Sequence, residues 1–146
     1  MPNKYDSLKL ENQLCFPLYA ASRAIIRRYK PFLDELELTY TQYVVMLVLW
    51  EKQSITLKAM GDILYLDSGT LTPLLKKLEA KNLLTRTRAE DDERNLIVEV
   101  APGGEELRER ALKVPQQIRA CSTLTDEEAS LLHRLLDQVI DDAENH

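Results

Sequence analysis

The chain is poor in cysteine, glycine and histidine, with two Cys, four Gly and two His in 146 residues. Two thiols do not make the disulfide framework that staples small secreted domains. Two His and two Cys, widely spaced, hold no metal-ligand pattern, so neither a metal site nor any other cofactor is expected. No run of 18 apolar residues occurs, which excludes a helical membrane span. The opening stretch MPNKYDSLKLENQL lacks a signal peptide's apolar core, and a cytoplasmic location is the expectation. No nucleophile–base pair is legible and no strand–helix alternation marks a thioredoxin-like thiol peroxidase, so an enzyme is not expected.

What is present is a globular balance, 45% apolar and 29% charged, with a net charge of −5. The length fits one domain. Scarce glycine, together with only six prolines, leaves room for long helices. Leu8 to about Leu36 is the first helical candidate, with Pro17 near its start and Pro31 expected to stop or bend it. Thr41 is a plausible N-cap for Gln42–Glu51, an apolar run read as a buried central helix.

Thr56 caps a short helix, Leu57–Leu64. After the turn Tyr65-Leu66-Asp67-Ser68-Gly69 a second helix is expected over Gly69–Lys81, with Leu71, Leu74, Leu75 and Leu78 on one face. Two short helices around a tight turn are the helix-turn-helix signature. Leu84–Arg88 and Leu96–Val100 flank a charged tip and read as a β-hairpin. That order is a winged helix-turn-helix. Pro102-Gly103-Gly104 opens a further helical stretch to about Cys121, interrupted by Pro115. Thr125 and Glu128 form a capping box for a last helix, on which Leu131, Leu132, Leu135, Leu136, Val139 and Ile140 make a broad apolar stripe. So wide a stripe needs a partner, and the expectation is an obligate dimer paired through terminal helices. The fold class is therefore mainly α with a small β-hairpin wing. Within a single domain over 1–146, the segments 1–36 and 102–146 dimerise and 37–101 binds DNA.

Charge is segregated along the chain. Between residues 68 and 88, Lys76, Lys77, Lys81, Arg86 and Arg88 stand against Glu79 alone. Between 125 and 146, Arg134 stands against Asp126, Glu127, Glu128, Asp137, Asp141, Asp142 and Glu144. DNA affinity follows local Lys and Arg contacts to phosphate, not net charge. A basic stretch alone is more often a solvated face, but the winged order favours double-stranded DNA as the partner. With the leucines inward, Thr72, Pro73 and Lys76 lie on the opposite face, bordered by Ser68, Thr70 and Lys77. Hydroxyls and lysines there reach base edges and phosphates. Arg86 and Arg88 add to the basic surface. Arg94 at the wing tip suits a narrow minor groove, with Asp92 orienting it. A two-fold pair would set two recognition helices about 34 Å apart on a pseudo-palindrome.

Cys15 precedes Phe16-Pro17. A helix starting there puts its thiol by free N–H groups and the positive end of the helix dipole, a setting that makes sulfur nucleophilic. A small buried cysteine is the plainer alternative. The tyrosines argue against it, since six Tyr against two Phe keep hydroxyls where plain rings would pack. Tyr19 is at i+4 from Cys15. Tyr29 is near the same face but about 21 Å along a helix, so it meets a Cys15 only from another chain or after a bend. Cys121 is either a bystander or a thiol that captures oxidised Cys15.

Several stretches together resemble the organic hydroperoxide resistance regulators of the MarR family. They are Leu10-Glu11-Asn12-Gln13-Leu14-Cys15-Phe16, Leu18-Tyr19-Ala20-Ala21-Ser22-Arg23, Leu38-Thr39-Tyr40-Thr41-Gln42-Tyr43, and above all Leu66-Asp67-Ser68-Gly69-Thr70-Leu71-Thr72-Pro73-Leu74-Leu75-Lys76-Lys77-Leu78-Glu79. Asp91-Asp92-Glu93-Arg94 fits the same pattern. The resemblance implies a homodimeric repressor that binds its operator when reduced. Organic hydroperoxide, the inducer, oxidises Cys15 to a sulfenic acid, and further thiol chemistry releases DNA. It also implies that Tyr29 and Tyr40 bond the cysteine across the dimer, and that Cys121 stands where a second thiol forms a disulfide between subunits. Two residues depart from the family pattern: Pro17 replaces an alanine, and Ala101-Pro102-Gly103-Gly104 lacks the usual Thr cap. The competing reading is a MarR-type repressor relieved by a small phenolic or anionic ligand, with Cys15 structural.

Overall fold

The computed structural model describes the backbone of residues 1–89 and 92–145 and the side chains of residues 1–88 and 96–145. It divides into two units, Met1–Val114 and Pro115–His146.

In the first unit, two 3-10 turns, Asp6–Leu8 and Leu10–Asn12, precede helix α1 (Cys15–Asp34). The helix thus begins at Cys15 and not at Leu8. The side-chain amides of Asn12 and Gln13 donate to the carbonyls of Asp6, Ser7 and Lys9 and hold the turns instead. Pro17 falls in the first turn, where its missing N–H costs nothing. Pro31 does not stop the helix, which continues to Asp34. So near the C-terminus it removes a single backbone bond and leaves few downstream residues to kink.

Helix α2 (Tyr40–Lys52) is the central support, with Tyr43, Val45, Met46, Val48, Leu49 and Trp50 buried. Its cap is Thr39, not Thr41. The Gln42 N–H donates to Thr39 Oγ1 at 3.2 Å, and Gln42 Oε1 accepts the Thr39 N–H at 3.0 Å. Only Thr39 has a Gln three residues on, so only it closes a reciprocal box. Trp50 donates its indole N–H to the Gly104 carbonyl at 2.9 Å, tying α2 to helix α5 (Pro102–Ala111). That helix starts with proline and no side-chain cap, as Ala101 in the capping position dictates.

Strand β1 (Ser54–Thr56) leads into α3 (Leu57–Leu64), then α4 (Ser68–Ala80), and the strands β2 (Leu84–Ala89) and β3 (Asp92–Val100). The antiparallel sheet has the order β1-β3-β2, with Ile55 opposite Val98 and Arg86 opposite Val98 on the other side. Strand β1 was not foreseen, because three residues are too few to show alternation. Thr56 caps α3 through the Ala59 N–H. Leu71, Leu75 and Leu78 of α4 are buried together with Met60, Leu84 and Val98. The turn between α3 and α4 depends on Gly61, where a Cβ would lie 2.6 Å from the Leu66 carbonyl oxygen.

After α5 the helical path breaks at Leu112 and α6 (Lys113–Ala120) begins. The interruption expected from Pro115 is there: its ring clashes with the carbonyl four residues back, on Ala111, where α5 ends, and Pro115 itself falls in the first turn of the new helix, where its missing N–H costs nothing. In the second unit, α7 (Asp126–Asn145) follows the expected box. The Glu128 N–H donates to Thr125 Oγ1 at 3.1 Å and the Thr125 N–H to Glu128 Oε1 at 2.9 Å. Among its described residues none is buried. No described helix is long and apolar enough to cross a membrane.

Candidate functional site

The residues expected to form the site fall into two groups, one on α4 and the wing, the other along α1 and the start of α2.

Helix α4 is aimed by its first turn. Asp67 Oδ1 accepts the Thr70 N–H at 2.7 Å. That bond, together with a second from the Thr70 hydroxyl side, holds the Asp67 carboxyl below its ordinary range. Leucines fill the inner face, which leaves Ser68, Thr70, Pro73, Lys76 and Lys77 exposed and Thr72 half-buried. The Thr72 hydroxyl donates to the Ser68 carbonyl at 2.7 Å, so it presents only acceptor lone pairs outward. Lys81 donates to the Glu37 carbonyl and is committed to the α1–α2 turn. Arg88, near the end of β2, is exposed. Arg86 is half-buried on Glu79, 3.1 Å from Nη2 to Oε1. The side chains of Asp92 and Arg94 lie outside the described residues.

Tyr65, in the turn before α4, is exposed and holds a left-handed φ of 57°. Sequence reading missed it as a surface group beside the recognition helix. Its only early signal was an aromatic in a position that usually takes Gly or Asn.

Cys15 is the first residue of α1 and is exposed, so the first-turn N–H groups lie beside an accessible thiol. Beside this helix start an open groove of about 620 Å³ is lined by Lys9, Leu10, Glu11, Gln13, Phe16 and Pro17. Tyr19, on the next turn, is exposed, and its hydroxyl accepts from Arg23 at 3.4 Å.

The other two expected pocket residues meet elsewhere. Tyr29 and Tyr40 stack edge to face with centroids 5.0 Å apart. Tyr43 completes the cluster, 5.8 Å from Tyr29 and 6.4 Å from Tyr40. Sequence reading took Tyr43 only as part of a buried apolar run. Burial, then the neighbouring Tyr29 and Tyr40, pushes the Tyr43 phenol up to about 12. Burial, then Tyr40, raises Tyr29 as well. At neutral pH the Tyr29 and Tyr43 phenols stay protonated and keep an O–H that can donate. Since α1 is continuous from Cys15 to Asp34, Tyr29 stays about 21 Å along the axis from the thiol of its own chain.

Cys121 follows the last residue of α6 and is exposed, its N–H donating to the Ile118 carbonyl at 3.0 Å. Among the described residues no group of three or more His, Cys, Asp or Glu side chains could hold a metal ion.

Residues 27–110 match the family of transcriptional regulators SarA/Rot. The chain is 48% identical over 136 residues to the organic hydroperoxide resistance transcriptional regulator of Bacillus subtilis, covering 93% of this chain and 92% of that one. The structure of reduced AbfR bound to DNA aligns with a TM-score of 0.78 at 35% identity, over 97% of this chain and 99% of that one. AbfR is a protein of Staphylococcus epidermidis. Its disulfide-formed structure aligns with a TM-score of 0.65 at 36% identity, over 94% and 96% of the two chains.

Proposed function

Starting from a chain that belongs to the MarR-type winged-helix regulators, in the group of the organic hydroperoxide resistance regulators, we propose a redox-sensing repressor whose sensor is built by two copies of the chain. It is a transcriptional regulator and not an enzyme, like its relatives. Segments 1–36 and 102–146 form the homodimer, and 37–101 reads a pseudo-palindromic operator. Ser68, Thr70, Thr72 and Pro73 face the bases, Lys76, Lys77 and Arg88 meet phosphates, and Arg94 enters the minor groove with Asp92 behind it.

Two faces support the dimer. Leu131, Leu132, Leu135, Val139 and Ile140 are exposed along α7, as are Ile25 and Ile26 on α1. Exposed apolar surface on a helix face marks an interface when it is extensive.

The observation that carries the sensor is the split along α1. Cys15 stands exposed at its first residue, while the donors Tyr29 and Tyr40 cluster about 21 Å away. An antiparallel second copy brings each thiol to the other chain's tyrosines. The Cys15 thiolate attacks the outer oxygen of an organic hydroperoxide. The S–O bond forms, the O–O bond breaks, and the alcohol leaves with a proton. The Tyr29 and Tyr40 hydroxyls bond the sulfur and its new oxygen. The Cys121 thiol then attacks the sulfenic sulfur, forming a disulfide and releasing water. The oxidised dimer no longer spans both half-sites. A thousand-fold loss of affinity asks for about 4 kcal/mol of differential stability.

The test is a gel shift with cumene hydroperoxide. Cys15→Ser is expected to bind operator normally and to resist release. Release that persists in Cys15→Ser contradicts the mechanism.

A further inference from the structure

Arg86 reads from sequence as one of the cations that meet DNA, but its surroundings point to another task. Nη2 and Nε of the guanidinium approach Glu79 Oε1 at 3.1 and 3.3 Å, and the Arg86 backbone N–H donates to Glu79 Oε2 at 3.1 Å. Both carboxylate oxygens are used, one by the arginine side chain and one by the strand backbone. The Arg86 side chain is 19% exposed, whereas Lys76 and Lys77 on α4 stand open to solvent. The Arg86 hydrogen bond is also the main cause that holds the Glu79 carboxyl below the usual range.

The place of this pair in the fold gives it leverage. Glu79 is in the last turn of α4, and Arg86 is the third residue of β2. Between them the chain turns through Asn82, with a left-handed φ of 62°. The Asn82 N–H donates to Glu79 O at 2.9 Å and the Leu83 N–H to Leu78 O at 3.1 Å, the two bonds of a Schellman turn. Such a turn fixes the chain reversal but holds the strand to the helix at one end only. The carboxylate adds a second fastening, further along the strand and from side chain to backbone.

We propose that Glu79 and Arg86 form a bracket that sets the angle between the recognition helix and the wing, so that Arg86 governs operator selectivity by position without touching DNA. The inference rests on the DNA-binding reading above. A winged reader places a helix in one groove and a hairpin tip at another, so both must arrive in register. If the bracket is lost, one set of contacts is made at the expense of the other. Non-specific binding, which depends on phosphate charge alone, does not need that register.

The alternatives differ in sign. If Arg86 contacts phosphate, removing Glu79 frees a cation and deletes an anion beside DNA, and affinity rises. If Arg86 is a positioning residue, removing Glu79 lowers operator affinity.

The test uses the full chain, reduced, with the duplex that wild type selects from a random-sequence library, and poly(dI-dC) as non-specific DNA. Glu79→Ala is expected to weaken binding to the selected duplex about tenfold. Its affinity for poly(dI-dC) and its slope of log K against log salt stay at wild-type values. Arg86→Met gives the same loss and the same slope, and the double variant loses no more than either single change. Lys76→Gln is the contact control and lowers the slope by about 0.9 per half-site, about 1.8 for the dimer. Glu79→Gln keeps an oxygen for the strand N–H and recovers part of the loss, and it reads the same quantities if the alanine variant folds poorly. Unchanged or higher operator affinity in Glu79→Ala overturns the bracket. So does an Arg86→Met slope reduced like that of Lys76→Gln, or a parallel fall in both affinities. A wild type that selects no duplex sinks the DNA reading and the bracket with it.

Discussion

Helices α4 and α7 use leucine at the same helical spacing and treat it in opposite ways. Leu71, Leu75 and Leu78 on α4 are sealed, whereas Leu131, Leu132 and Leu135 on α7 remain exposed. The contrast extends to whole regions. From Tyr40 to Ala101 the helices and sheet cover one another and carry most of the core. Along α1 and α7 apolar side chains face outward, and the two thiols, Cys15 and Cys121, are exposed. The periodic pattern tells which face is apolar but not what covers it. On the reading proposed above, the region complete in one chain suits DNA reading, and the region incomplete in one chain suits sensing, because its geometry would be finished by a second copy.

The contrast is broken most severely on α7. Leu132→Asp combined with Leu135→Asp is expected to turn dimers into monomers by sedimentation and to cut operator affinity at least about a hundredfold, since two half-sites no longer act together. Circular dichroism of the variant stays helical, because these residues carry no core. The matching change on α4, Leu71→Ala, costs about 2–5 kcal/mol in denaturant unfolding by leaving a cavity.

A smaller effect separates the tyrosine cluster. The Tyr43 phenol is held up to about 12 in the folded chain, while an unfolded tyrosine ionises near 10. Its protonated form is therefore favoured by folding. That contribution is fully present below about pH 10 and is lost as pH rises toward about 12. Tyr43→Phe should flatten the alkaline fall of the melting temperature, and an unchanged alkaline profile would count against the cluster.

The smallest effect concerns the α4 cap. The Thr70 bonds depress the Asp67 carboxyl, so its stabilisation is present above the unfolded value of about 3.9 and lost as pH falls through the lower folded one. Asp67→Asn should melt lower than wild type at pH 7, and the difference should shrink below about pH 4.

Much of this was legible in the residues, and the misses have physical causes. Helix α3 follows its Thr56 cap, and α7 follows its Thr125–Glu128 box. Thr41 reads as the cap of α2, but the reciprocal bonds with Gln42 put the cap at Thr39. Pro115 interrupts the helical path, whereas Pro31, read as stopping or bending α1, leaves it running to Asp34 at the loss of one backbone bond near its end. Strand β1 is held by its neighbour β3 and not by its own three residues. At the candidate site the pairing of Tyr29 with Tyr40 joins two helices across a turn, and Tyr43 was hidden in a hydrophobic run. The Glu79–Arg86 pair was invisible because seven residues and a chain reversal separate its members.

The central claim is that each thiol is served by the tyrosines of the other chain, and mixed dimers test it most directly. The measurement is the rate of Cys15 oxidation by cumene hydroperoxide in dimers that pair Cys15→Ser with Tyr29→Phe/Tyr40→Phe. Across-chain assembly predicts a wild-type rate at the one remaining thiol, because it faces intact tyrosines on its partner. A rate no faster than that of the Tyr29→Phe/Tyr40→Phe homodimer would contradict the account.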